Sequence, residues 1–80
     1  DIEPILVTIQ PGAQTETDLP HMGEEFGYVL SGAVTLELGG KSYRVRKGDS
    51  FSFKPSQQHD LKNTGKTPAT VIWVCTPPNF

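Results

Sequence analysis

His21-Met22-Gly23-Glu24-Glu25-Phe26-Gly27-Tyr28-Val29-Leu30-Ser31-Gly32 is the stretch that decides how this chain folds. A histidine and a carboxylate stand four residues apart, an aromatic and aliphatic run follows, and a Ser-Gly pair closes it. The run from Glu25 to Ser31 reads as a β-strand. Successive side chains of a strand take opposite faces. An inward Glu25 therefore brings Gly27 and Val29 to its own side and sends Glu24, Phe26, Tyr28 and Leu30 to the other. A slip of one residue would exchange the two carboxylates. A second histidine, His59, heads another short apolar strand. Two imidazoles and a carboxylate arriving from separate strands would then line one cavity.

Working outward, almost every apolar run is short, alternates with period two and ends at glycine or proline. Ile5–Ile9 reads as a strand stopped by Pro11-Gly12, and residues 13 to 20 as a polar loop with a short extended piece. Ala33–Leu38 and Lys41–Val45 form a hairpin about Gly39-Gly40, because both glycines accept the positive φ of a primed turn. Ser50–Phe53 follows the Lys47-Gly48-Asp49 turn, with Phe51 and Phe53 on one face, and Pro55 ends it. Gln58–Asn63 is a sixth strand, in which an inward His59 is followed by Leu61 and Asn63. Ala69–Cys75 is the most apolar and shows no alternation, which predicts cover on both faces, part of it a subunit contact. No window carries a helical period. The expectation is an all-β, antiparallel sandwich or barrel in a single domain.

The bulk numbers narrow the function. Eighty residues make one domain with a modest core. Seven Lys and Arg against nine Asp and Glu give a net charge of −2, unlike a chain that grips a phosphate backbone. Lys41, Arg44, Arg46 and Lys47 cluster on one hairpin and read as a solvated edge. The single cysteine, Cys75, leaves no internal disulfide and fits a reducing cytoplasm. No apolar run approaches the roughly 18 residues of a membrane span, and no secretory leader is seen. The chain does not start with Met, and an excerpt of a longer polypeptide is expected.

The spacing of His21, Glu25 and Gly32, and of Gly48, Pro55, His59 and Asn63, resembles the two motifs of the cupin superfamily. That resemblance implies a small jelly-roll barrel. The run from Gly23 to Gly32, the segment Gly48-Asp49-Ser50-Phe51 and the ending Thr76-Pro77-Pro78-Asn79-Phe80 resemble a narrower group. These are the C-terminal cupin domains of bacterial regulators that carry an N-terminal helix-turn-helix of the XRE type. Residues 1 to 80 hold no helix-turn-helix, so DNA would be contacted by other sequence. The family's leading metal-ligand histidine is replaced here by Leu19, and the turn before His59 is one residue short of the family pattern.

Carried over residue by residue, the resemblance makes His21, Glu25 and His59 three of four metal-ligand positions. Imidazole nitrogens and a carboxylate suit one divalent transition metal, Zn, Fe, Mn or Ni. The residues alone leave a second reading open, a polar pocket in which His59 and Glu25 bond each other or a ligand. Phe51, Phe53 and Val29 join His21, Glu25 and His59 as expected ligand-binding residues, and no residue is assigned a catalytic role. Asn63 reads as a turn residue, Cys75 as a small buried hydrophobe, and Tyr28, Tyr43 and Trp73 as core or interface. Met22 and the loop from Gln14 to Asp18 border the barrel mouth. The resemblance implies a cytoplasmic, homodimeric regulator domain that senses a small-molecule effector. The other reading is a small metal-dependent cupin enzyme, such as a dioxygenase, isomerase or decarboxylase.

Overall fold

The computed structural model describes residues 3–15, 23–54 and 58–76. Seven strands appear: β1 (Glu3–Ile9), β2 (Glu24–Ser31), β3 (Ala33–Leu38), β4 (Lys41–Arg46), β5 (Ser50–Phe53), β6 (His59–Lys62) and β7 (Ala69–Thr76). Every strand expected from alternation is present, with ends moved by no more than two residues. Gly39 and Gly40 both take positive φ, 56° and 85°, as the primed turn between β3 and β4 requires.

Two antiparallel sheets face each other. One has the order β1-β7-β2-β5 and the other β4-β3-β6, the jelly-roll arrangement of an all-β chain. The buried side chains lie between them: Ile9, Val29, Val34, Leu36, Val45, Leu61, Ala69, Val71, Trp73 and Cys75. The extended piece expected after Gly12 pairs with β6. Thr15 N–H donates to the Leu61 carbonyl and Asn63 N–H to the Ala13 carbonyl, both at 2.9 Å.

β2 follows the expected alternation. Glu25, Gly27 and Val29 are buried, while Glu24, Phe26, Tyr28 and Leu30 are exposed. β7 shows in its burial an alternation that its sequence does not. Ala69, Val71, Trp73 and Cys75 are buried, but Thr70, Ile72, Val74 and Thr76 on the other face are only half-buried. An all-apolar strand carries no phase in its sequence; its place between β1 and β2 sets the phase. Tyr28 and Tyr43, expected in the core or an interface, are 37% and 46% exposed.

Asn63 does more than end a turn. It is 1% exposed, and its amide nitrogen donates to the carbonyls of Ile9 and Thr67, each at 2.8 Å. Its side-chain oxygen accepts from Gly65 N–H at 2.9 Å. One side chain thereby ties the end of β1 to the turn that leads into β7.

Candidate functional site

The inward phase of β2 delivers Glu25, and that of β6 delivers His59, from opposite sheets. His59 Nε2 lies 2.7 Å from Glu25 Oε2, with both side chains 1% exposed. A buried carboxylate is costly unless its oxygens are matched by donors or cations. Here β7 supplies the rest. Its register on β2 sets Glu25 opposite Cys75 and Gly27 opposite Trp73. Trp73 Nε1–H donates to Glu25 Oε1 at 2.7 Å, and the Cys75 thiol reaches the same oxygen at 3.4 Å. Oε1 is thus fixed by β7, and Oε2 is turned toward His59.

Aromatic rings wall the pair. Phe53 meets the His59 ring edge-on, with centroids 5.0 Å apart. Phe51 stacks against Phe53 at 6.2 Å and meets Trp73 edge-on at 5.7 Å. Space for Phe51 comes from Gly27, whose missing Cβ would stand 2.2 Å from the phenyl ring. Val29 is fully buried two residues further along β2. Among the described residues, two hollows open near the strand ends. One of about 210 Å³ is lined by Glu37, Gly40, Gln58, His59 and Asp60. The other, of about 420 Å³, is lined by Glu24, Glu25, Phe26, Ser52, Val74 and Thr76.

The structure therefore brings together Glu25, His59, Phe51 and Phe53, with Val29 on the same inner face. His21 lies outside the described residues, as do Leu19, Met22, Pro55, residues 16 to 18 of the mouth loop and the ending after Thr76. Two partners of the carboxylate were not assigned to the site from sequence, Trp73 and Cys75. Local sequence around Cys75 gives no sign of them. The usable signal was long-range, namely the pairing of β7 with β2 once Glu25 is set inward.

The donor set suits a divalent transition metal in type, with one imidazole nitrogen and one carboxylate oxygen side by side. A carboxylate whose second oxygen is held by an indole N–H is also how outer residues orient a ligand. Among the described residues, no three His, Cys, Asp or Glu side chains gather as a metal-holding group. A third protein ligand would be His21. Among the described residues, no helix is long and apolar enough to cross a membrane.

Comparison with known proteins places these observations. The family model for the cupin domain matches residues 5–75. The chain is 34% identical over 76 residues to the HTH-type transcriptional regulator PuuR of Escherichia coli K12, covering 95% of this chain and 41% of the regulator. This chain thus spans about two-fifths of that relative's length. The crystal structure of the cupin domain of an XRE family transcriptional regulator from Enterobacter cloacae superposes with a TM-score of 0.86. It covers 98% of this chain and 83% of that one at 19% identity, a likeness of fold. A putative sugar phosphate isomerase from Acidithiobacillus ferrooxidans is 32% identical, with a TM-score of 0.81, covering 92% of this chain and 49% of that one.

Proposed function

The chain belongs to the cupin family, and on that premise we propose that it is the small-molecule-sensing domain of a cytoplasmic bacterial transcription regulator. The observation that carries this reading is the oriented carboxylate. Glu25 is held at Oε1 by Trp73 and Cys75, and its Oε2 faces His59 in an aromatic-walled interior. Such a group is pre-set to meet a ligand's hydrogen-bond donor, an amine or hydroxyl, in place of the imidazole. Preorganisation of this kind lowers the ordering cost of binding. In this reading residues 1 to 80 are the sensing domain, His21 completes the pocket with Phe51, Phe53 and Val29, and two copies pair. DNA is contacted by sequence outside this chain. The similarity to the PuuR regulator over 95% of this chain supports the assignment. An effector acts by binding one of two arrangements of the regulator more tightly than the other.

The test is a thermal-shift screen of amines and polyamines, amino acids and organic acids, repeated with His59→Ala. A stabilising compound whose effect is lost in the variant supports the reading. A screen in which nothing raises the melting temperature, or in which His59→Ala binds as well as the parent, defeats it.

The second reading, a metal-dependent cupin enzyme, is favoured by the 2.7 Å spacing of His59 Nε2 and Glu25 Oε2 and by the likeness to a putative sugar phosphate isomerase. His59, Glu25 and His21 would hold the ion, which when bound supplies a Lewis acid. Trp73 and Cys75 would keep Glu25 presenting Oε2. Elemental analysis of protein purified without chelator separates the readings. Near-stoichiometric iron or manganese favours the enzyme, and trace or variable metal favours the sensor.

A further inference from the structure

We infer that Lys41 is the outer end of the ligand site, and that the effector is an acid carrying a separate hydrogen-bond donor. The donor meets Glu25 and the anionic group meets Lys41. This rests on the sensing reading and names the chemical class that the site takes.

Alternation divides the basic hairpin. Ser42 Oγ donates to Glu37 on the outer face of the β4-β3-β6 sheet. Arg44 and Arg46 share that outer face, while Lys41, Tyr43 and Val45 take the inner one. Register then sets Lys41 in one row with Leu38 and His59, and Tyr43 in the next with Leu36 and Leu61. Leu36 and Leu61 are 4% and 0% exposed, yet Tyr43 is 46% exposed. The difference lies in what faces them. β4 is the last strand of its sheet, and β5, four residues long, is the last of the other. The two edges adjoin through the turn at 47–49 and, among the described residues, share no ladder. A seam therefore opens beside β4, with Lys41 and Tyr43 on the inner face but exposed.

The seam leads to the buried pair. From Lys41 the row passes over Leu38 to His59, where Phe53 meets the imidazole edge-on at 5.0 Å. Leu38 and Phe53 are half-buried, so the middle of this path is apolar and partly open. Its inner end is the Glu25 carboxylate, which takes a donor. Its outer end is the Lys41 ammonium, which attracts an anion. Strands about 4.8 Å apart put the β6 and β4 backbones roughly 10 Å from each other, a span for a chain of about six carbons with a polar group at each end. Two opposite demands at a set separation discriminate against a ligand that meets only one. An ω-amino or ω-hydroxy acid meets both. A diamine turns a like charge toward Lys41, and a simple fatty acid brings Glu25 no donor.

Isothermal titration calorimetry with ε-aminocaproate, ε-hydroxycaproate, caproate and hexamethylenediamine tests this. At least one of the first two is expected to bind more tightly than caproate and the diamine. Lys41→Gln is expected to weaken that acid roughly five- to tenfold. Lys41→Glu is expected to abolish its binding and to improve that of hexamethylenediamine. Arg44→Glu makes the same charge change on the outer face and is expected to leave the Kd within about twofold. Far-UV circular dichroism confirms that each variant is folded. Equal affinity in the parent and both Lys41 variants overturns the inference. So does an Arg44→Glu loss as large as that of Lys41→Glu, which would trace the effect to the overall charge. Tight binding of the diamine with neither ω-substituted acid bound also overturns it, and leaves the sensing pocket standing. Silence from every compound, here and in the thermal-shift screen, overturns both readings.

Discussion

Removing one hydrogen atom's worth of chemistry from Trp73 tests how the carboxylate is held. Trp73→Phe keeps an aromatic ring in the core and deletes the indole N–H that reaches Glu25 Oε1 at 2.7 Å. Both groups are buried, at 7% and 2% exposure, so no solvent replaces the bond cheaply. A hydrogen bond to a charged partner contributes about 1.5–3 kcal/mol. The smaller ring leaves a cavity of about 40 Å³, worth about 1 kcal/mol more at roughly 24 cal/mol per Å³. The expected loss is about 2.5–4 kcal/mol. In a domain of this size that lowers the melting temperature by about 10–30 °C. Urea unfolding followed by far-UV circular dichroism measures it, since the fluorophore is gone. Packing and bonding are then separated by repeating the substitution in a Glu25→Gln background. There the acceptor is neutral, and the cost of Trp73→Phe should fall by about 1 kcal/mol or more. Equal costs in both backgrounds, or a single-variant loss below about 1 kcal/mol, would refute the idea that Trp73 orients the carboxylate.

Three further outcomes are expected. Gly27→Ala should destabilise by about 1–3 kcal/mol through overpacking, because the new methyl meets the Phe51 ring at 2.2 Å. Adding Phe51→Leu should recover part of the loss, measured by urea midpoint, and no recovery would mean the clash lies elsewhere. Asn63→Ala should cost about 3 kcal/mol, since it releases three side-chain hydrogen bonds of about 1 kcal/mol each; a thermal midpoint close to that of the parent would contradict this. Cys75, 3% exposed, should react with a thiol reagent only as fast as the domain opens. A burst of labelling in native buffer, without denaturant, would show the pocket to be open at that point.

Much of this arrangement was legible because its signals are local. The Gly39-Gly40 hairpin, the clean alternation of Ser50–Phe53 and the split of Glu24 from Glu25 each depend on a few neighbouring residues. Period two then separated the two faces of each strand, and the resemblance set which of them points inward. His59 and Glu25 could be paired from the resemblance, and the structure sets them 2.7 Å apart. What stayed hidden depends on register between distant segments. β7 is apolar at nearly every position, so its sequence does not say which residues face the pocket. Only its pairing with β2, about 50 residues away along the chain, sets Cys75 opposite Glu25. Asn63 was under-read for the same reason, because one of its partners, the Ile9 carbonyl, belongs to the first strand.

β7 lies between β1 and β2, which has a consequence for the order in which the protein can be made. Synthesis delivers the two flanking strands before the strand that joins them. Until Ala69–Thr76 has left the ribosome, β1 and β2 each present an apolar edge with no neighbour between them, the kind of edge that invites wrong pairing. Glu25 meanwhile waits without its indole and thiol partners. Sheet and pocket should therefore appear together in one late step, and a nascent chain arrested before residue 69 should have neither.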